Sequence, residues 1–501
     1  MCSAAVETVG NLRQRLWAEA GRRNVQPAQA GFAVGCPRFQ PPAAHFGLEN
    51  LTSSVAKKAT SAKGRFTFSA TCGWLSYFSG SMNAQYNKTT LPNGVRVLSE
   101  RIEGALSASV GLWFEAGCAF ENEAQQGLAH LLEHMVFKGT RRHSMLQIAL
   151  KMDDLGGGMN AFTEREFVCF HVKVLGEHLR EALALMCEFA TQPLLDPDLL
   201  GIEKGVVLEE IRGALDAPEE RVEDLFLEQL WPDSAWGRPI LGQSETVEML
   251  QSNDLRDFMR HFYGPSRCVV AVAGDVDHAK LERWAAKFLC DLPPENGVGE
   301  LSSPPLVPAR HRVVRDDTEG VHLLLGAPAF GARDERRFAL WLLDSILTGG
   351  YSSRLFQEIR EKRGLCYSLG GASAGFRAGG YWALETSVAP ENARKTLQLI
   401  GRELRKVRET GVREVELKRA KRMARINLLL GEESLSARMS RLARNELTWR
   451  TPKSLEEALA GFEMATSDEL QNVAREVFRA ESFQLAALGP VPAKTKLEVE
   501  L

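Results

Sequence analysis

The stretch GLAHLLEHMVFKGT, residues 127–140, sets His130, Glu133 and His134 into an otherwise apolar run. A chain that could fill this helix with leucine has placed three polar side chains within five residues. On a helix, positions i and i+4 lie on one face about one turn apart, so His130 and His134 can offer two imidazole nitrogens to one ion. Glu133 precedes the second histidine, where its carboxylate can reach a water held at that ion. Zinc suits imidazole and carboxylate ligands, and a catalytic zinc site has three protein ligands plus a water. The metal lowers the pKa of that water toward neutrality, and a nearby carboxylate can take its proton. The third ligand has to come from elsewhere, and a carboxylate on another helix is the natural donor. His-x-x-Glu-His inverts the more familiar His-Glu-x-x-His. On these five residues alone, a surface coincidence or a structural network remains open beside the metal reading.

Around this helix the chain has an α/β texture from residue 86 onward. NGVRVLSERI, residues 93–102, offers a turn at Asn93-Gly94 and then a strand, and SASVGLWFEAG, 107–117, a second strand. Helices are expected over 123–137, 145–155, 179–191, 197–214 and 222–230, with FVCFHVKVL, 167–175, alternating as a strand between them. CVVAVAGDVD, 268–277, reads as a buried strand, followed by a helix over 279–289. PPENGVGELSSPPLVPAR, 293–310, is rich in Pro, Gly and Ser and reads as a linker. Beyond it the order repeats: the strand-like GVHLLLGAPAF, a helix through RRFALWLLDSILT, the strand AGGYWALETSVA, helices over 390–430, and the closing strand FQLAALGPV. Two similar halves imply an internal duplication, with a period too long for a solenoid. The chain thus divides into an extension 1–84, a half 85–292, a linker 293–310 and a half 311–501. Setting AHLLEH, 129–134, against LWLLDS, 340–345, puts Trp341, Asp344 and Ser345 at the positions of His130, Glu133 and His134. The same helix packs without the histidines, so packing does not explain them.

Composition excludes several function classes. The 501 residues are 44% hydrophobic and 25% charged, enough for two or three domains with real cores. A formal net charge of -3 gives no footprint for nucleic acid or an anionic membrane. No apolar run approaches the ~18 residues of a membrane span. The nine cysteines are scattered, odd in number and without CxxC, which fits free or buried thiols better than a disulfide framework. Residues 1–84 hold no Asp and only Glu7, Glu19 and Glu49 against nine Lys or Arg. Such a leader is expected to be a disordered extension, an untranslated start upstream of Met82, or an organellar transit segment.

Over roughly residues 86–490 the sequence resembles the pitrilysin and mitochondrial-processing-peptidase family of zinc peptidases, the inverzincins. The resemblance implies an α+β fold of two duplicated α/β halves, each an antiparallel-rich mixed sheet packed with helices. In that family a glutamate on a separate helix, about 76 residues after the second histidine, is the third ligand. Counted from His134 this is Glu210, in EKGVVLEEIRGALDAPEE. The family's supporting glutamate falls on Glu203, two helical turns before it, and Glu209 reads as a solvated face. GGGMNAFTEREFVCFH, 156–171, resembles the strand beside the zinc helix, which pairs with an extended substrate; Asn160 and Ala161 hold its substrate-contacting positions. GGYSSRLFQEIREKRGLCYSL, 349–369, resembles the second half's signature, in which Arg360 and Tyr367 reach toward substrate and the developing oxyanion. Arg354 reads as packing or capping.

The expectation is therefore a zinc-dependent metalloendopeptidase acting on an unfolded peptide or presequence-like extended segment. Zn²⁺ is held by His130, His134 and Glu210, Glu133 is the general base, and Glu203 orients the ligands. The family's longest members carry four such halves, so this chain is expected to pair as a homodimer or with a related chain. That closure would bring Arg360 and Tyr367 over the zinc. An isolated first half, 86–292, would then bind zinc and hydrolyse poorly. The alternative is a non-catalytic structural partner in a processing-peptidase or respiratory-complex heterodimer, and zinc content separates the two. A start at Met82 favours a bacterial cytoplasmic enzyme; a cleaved leader favours the mitochondrial matrix or another organelle.

Overall fold

The computed structural model describes residues 84–156, 158–294, 301–304, 307–491 and 495–501. The leader expected over 1–84 lies outside the described residues but for Ala84, and so do parts of the linker.

Six strands form the first sheet: β1 (Ala84–Thr90), β2 (Arg96–Ile102), β3 (Ser107–Phe114), β4 (Asn160–Thr163), β5 (Val168–Leu175) and β6 (Cys268–Gly274). Their order is β1-β2-β6-β3-β5-β4, with β2 and β6 parallel and the other pairs antiparallel. The helices of this half are α1 (Leu128–Val136), α2 (Met145–Asp154), α3 (Leu179–Thr191), α4 (Pro197–Asp216), α5 (Pro218–Leu230), α6 (Ser244–Met249), α7 (Ser252–Phe262) and α8 (His278–Phe288). The second half has β7 (His311–Arg315), β8 (Val321–Ala329), α9 (Arg337–Leu347), β9 (Cys366–Gly375) and β10 (Gly380–Val388). It continues with α10 (Ala393–Thr410), α11 (Glu414–Gly431), α12 (Leu435–Trp449), α13 (Leu455–Met464), α14 (Ser467–Val477) and β11 (Gln484–Gly489).

The second sheet runs β7-β11-β8-β10-β9, with β7 and β11 parallel. Removing β1 from the first sheet leaves β2-β6-β3-β5-β4, the same order with the same single parallel pair. The fold is α+β, one mixed sheet packed with helices, built twice.

Strand periodicity explains the layering, because successive side chains point to opposite faces. On β6, Val270 and Val272 join the core beneath α1, α3, α4 and α8. Val269, Ala271 and Ala273 face the other way, with Leu98 and Trp113. That second face is covered by α12, from the other half, through Met439, Leu442, Ala443 and Leu447. The close approach leaves no room for a side chain at Gly111, whose Cβ would meet Met439 and the Trp113 indole. Conversely α5, from the first half, lays Val222, Phe226, Leu227 and Leu230 on Leu324, Ala383, Ala486 and Leu488 of the second sheet. Each half lends one helix to the other's sheet.

Local differences from the sequence expectation have physical causes. The helix expected over 123–137 is two pieces: a single 3₁₀ turn at Glu123–Gln125, then α1 from Leu128. Gly127 breaks it at φ 87°, a left-handed conformation that glycine adopts without a Cβ clash. Among the described residues Cys118, Cys169, Cys187, Cys268, Cys290 and Cys366 are free thiols, and no helix is long and apolar enough to cross a membrane.

Candidate metal centre

Helix α1 buries Leu128, Ala129, Leu131, Leu132, Met135 and Val136, which turns His130, Glu133 and His134 to its half-exposed side. Its first turn is fixed by the buried Glu121 carboxylate, which accepts from the N–H groups of Gly127 (3.0 Å) and Ala129 (2.7 Å). These are two of the donors a helix N-terminus leaves unsatisfied. Helix α4 packs against α1. It starts where the Asp196 carboxylate accepts from the N–H groups of Asp198 and Leu199, with Pro197 in the first turn. Its Leu200, Glu203, Val207 and Ile211 are buried, which aims Glu203 and Glu210, seven residues apart, at the histidines.

The donor atoms of His130, His134 and Glu210 all lie within 4.8 Å of one another. Glu210 Oε2 is 3.7 Å from His130 Nε2 and 3.6 Å from His134 Nε2. Both separations are too long for hydrogen bonds. They approach the ~3.4 Å expected between ligand atoms placed tetrahedrally at 2.0–2.2 Å from one zinc ion. The donor set thus fits Zn²⁺ in number, kind and span. Burial, with a smaller contribution from His134, pulls the His130 imidazole down to about 4, so it is neutral at neutral pH.

Glu203 is buried, and its Oε1 lies 2.9 Å from His134 Nδ1. A carboxylate can only accept, so Nδ1 carries the proton and the Nε2 lone pair is left toward Glu210. Lys138 Nζ sits 2.7 Å from Glu203 Oε2 and balances its charge. His130 Nδ1, by contrast, is buried with no hydrogen-bond partner among the described residues. Glu209 lies on the exposed side of α4, paired with Arg212.

Glu133 Oε2 accepts a 2.5 Å hydrogen bond from Thr163 Oγ1 on β4. Burial pushes the Glu133 carboxyl above its ordinary range, opposed by the Thr163 hydroxyl and His134. β4 is an edge strand, paired to β5 on one side only. Ala161 packs on the α1 side, while Phe162 packs on Trp113 on the opposite side. Asn160 is exposed, and its Oδ1 accepts from the Ala161 N–H.

Sequence reasoning did not single out Thr163, Lys138 or Glu121. Two signals pointed to the first two: Thr163 is two residues beyond Ala161 on a strand, hence on the same face, and Lys138 is one turn beyond His134. Glu121 left no such signal, since its role depends on the break at Gly127. Arg360 and Tyr367 are not gathered with the first-half group. Arg360 lies in a π-helical turn, Phe356–Glu361, with its guanidinium 4.7 Å over the Phe356 ring and 5.5 Å over Tyr367. Tyr367, on β9, is 78% exposed. Arg354 forms a part-buried ion pair with Glu416, 2.7 Å, a structural role.

Two family models match the chain: Insulinase (Peptidase family M16) over residues 96–244, and Peptidase M16 inactive domain over 250–424. The chain is 37% identical over 417 residues to an uncharacterized zinc protease of Streptomyces coelicolor, covering 81% of this chain and 90% of that one. It is 31% identical over 404 residues to the uncharacterized zinc protease YmxG of Bacillus subtilis, covering 80% and 97%. Two solved structures share the fold. A peptidase M16 inactive domain from Pseudomonas fluorescens has a TM-score of 0.77 at 21% identity, covering 83% of this chain and 100% of that one. A protease from Helicobacter pylori has 0.76 at 23%, covering 81% and 100%. The boundary between the two family models falls at α6, and helices α1 and α4, which carry His130, His134 and Glu210, both lie inside the first. With its duplicated sheets and its inverted histidine motif, the chain belongs to peptidase family M16.

Proposed function

We propose that this chain is a zinc-dependent metalloendopeptidase acting on unfolded peptides or presequence-like extended segments. The observation that carries the reading is the convergence of His130, His134 and Glu210 within 4.8 Å, with Glu133 on the same face of α1 as the two histidines. Relatives named zinc proteases support it. When bound, Zn²⁺ supplies a Lewis acid that polarises the scissile carbonyl and acidifies a water. The two Nε2 atoms and Glu210 Oε2 would hold it. Glu203 keeps the His134 ring in the ligating tautomer, and Lys138 pairs with the other oxygen of Glu203. Glu133 takes the proton of the attacking water and delivers it to the leaving amine, a role suited to a carboxylate whose proton affinity burial has raised. The free edge of β4 accepts the substrate backbone as an added strand, with Asn160 and Ala161 in contact. Such pairing requires a chain free of its own secondary structure. Arg360 and Tyr367 assist only if the second half of a partner chain, in a homodimer or a related heterodimer, closes over β4.

Glu133→Gln tests the reading. The amide cannot accept the water's proton, while all three ligands remain. The variant should keep its zinc by metal analysis and lose hydrolysis of a denatured protein substrate by at least ~10²–10⁴-fold. A zinc-loaded variant with wild-type turnover removes Glu133 as the base. A wild-type protein that binds zinc and cleaves nothing favours the non-catalytic partner instead.

A further inference from the structure

We propose that Thr163 is a positioning residue that fixes the general base to the strand on which substrate is laid. The inference rests on the peptidase reading above. Its ground is one contact and what surrounds it.

The contact is the 2.5 Å bond from Thr163 Oγ1 to Glu133 Oε2. A hydroxyl bound this closely to a carboxylate is a charge-assisted hydrogen bond, stronger than a neutral one. It occupies one carboxylate oxygen and leaves Oε1 as the proton acceptor. A glutamate side chain otherwise turns about three bonds. Tied at Oε2, it presents one oxygen in one direction.

The tether leads into an anchored segment. Strand pairing sets Thr163 opposite Val168, and Phe162 is wedged edge-on against Trp113 on the far face. The next three residues are each held from outside the hairpin. Glu164 pairs with Arg444 of α12. Arg165 Nε donates to the Trp236 carbonyl at 2.9 Å. Glu166 pairs with Arg377, in the β9–β10 turn, at 3.0 Å. Glu164 and Glu166 are thus held by the second half, Arg165 by the first. Substrate register is read at β4, and the base hangs from the same strand by the Thr163 hydroxyl. Distance from base to scissile bond then follows from strand pairing rather than from a free rotamer. Positioning of this kind acts on the chemical step, and a displacement of about 1 Å can cost on the order of 10²-fold in rate.

The experiment uses the full-length, zinc-loaded chain and an internally quenched synthetic peptide. Thr163→Val keeps the β-branched shape and removes the donor; Thr163→Ser keeps the donor. Thr163→Ala and Thr163→Ser serve as the pair if valine disturbs folding. The donor-less variants should lose kcat by roughly 10–10²-fold, with KM within about twofold and zinc content unchanged. Serine should restore kcat to within a few-fold of wild type. A purely structural threonine would show the reverse, with melting temperature lowered and turnover per folded molecule intact. Wild-type kcat in Thr163→Val, or a loss that serine does not rescue, overturns the inference. Glu133→Gln run alongside separates the levels. If it is inactive while Thr163→Val is fully active, only the tether falls. If Glu133→Gln is fully active, Glu133 is not the base and the tether falls with it; if the wild type cleaves nothing, the peptidase reading falls and the tether with it.

Discussion

At the scale of single residues, the third ligand is the sharpest question, because Glu209 and Glu210 are neighbours of identical chemistry. The fold separates them by the helical turn between adjacent positions. Glu210 Oε2 lies 3.6–3.7 Å from both imidazole Nε2 atoms, whereas Glu209 is turned out to Arg212. An amide is a poorer ligand than a carboxylate for a borderline cation. Glu210→Gln should therefore lower zinc affinity and activity together, and Glu209→Gln should leave both near wild type, since exposed ion pairs contribute about 0–1 kcal/mol. Competition with a zinc chelator measures the two affinities side by side. Greater sensitivity at Glu209 would move the ligand by one residue. That Glu210 and not Glu209 faces the histidines was legible in the sequence, because spacing counts residues and a helix converts counts into faces. Lys138 and Thr163 were less legible. Each is recognisable only as one turn, or one strand repeat, from a residue already chosen.

At the scale of elements, several helix starts were legible and helix anchoring was not. The Ser, Thr and Asp caps before α2, α4, α13 and α14 are readable in the chain. The start of α11 is different. Glu416 accepts from the Arg413 N–H in its own first turn and takes a two-pronged bond from Arg354, 62 residues earlier. Burial alone would push the Glu416 carboxyl up, but the Arg354 and Arg413 hydrogen bonds outweigh it and hold it at about 2 against an ordinary 4.5. A carboxyl depressed in the folded state adds stability at any pH above its unfolded value. That stability drains away as pH falls from about 4.5 through about 2. Glu416→Gln should therefore destabilise by about 1.5–3 kcal/mol near neutrality, because it leaves a part-buried guanidinium without its charge partner. The gap between variant and wild-type melting temperatures should narrow as pH is lowered from about 6 to about 3. A constant gap across that range would mean that the pair's charge does not carry the anchoring.

At the scale of the whole molecule, the duplication was visible in the order of elements, but the exchange of helices was not. Nothing local in α12 announces that Met439, Leu442, Ala443 and Leu447 belong to a sheet built from residues more than 160 positions earlier. An amphipathic helix declares that it has an apolar face and not what covers it. The exchange changes what a fragment should do. Spacing alone suggests an isolated half, 86–292, that folds and binds zinc. That fragment lacks α12, so Leu98, Trp113, Val269 and Ala271 would face water, and its own α5 would lose the second sheet beneath Phe226 and Leu230. At roughly 1.5–3 kcal/mol for each large side chain uncovered, a handful of these matches the 5–15 kcal/mol net stability of a typical domain. The first half alone should therefore show no cooperative thermal transition and bind zinc only weakly, with Trp113 fluorescence shifted to that of an exposed indole. Mixing it with residues 311–501 should restore a cooperative melt and zinc retention, because each piece returns the helix the other lacks. If 86–292 melts cooperatively by itself and keeps stoichiometric zinc, the exchanged helices are ornament to the core, and the metal centre is an autonomous product of the first half.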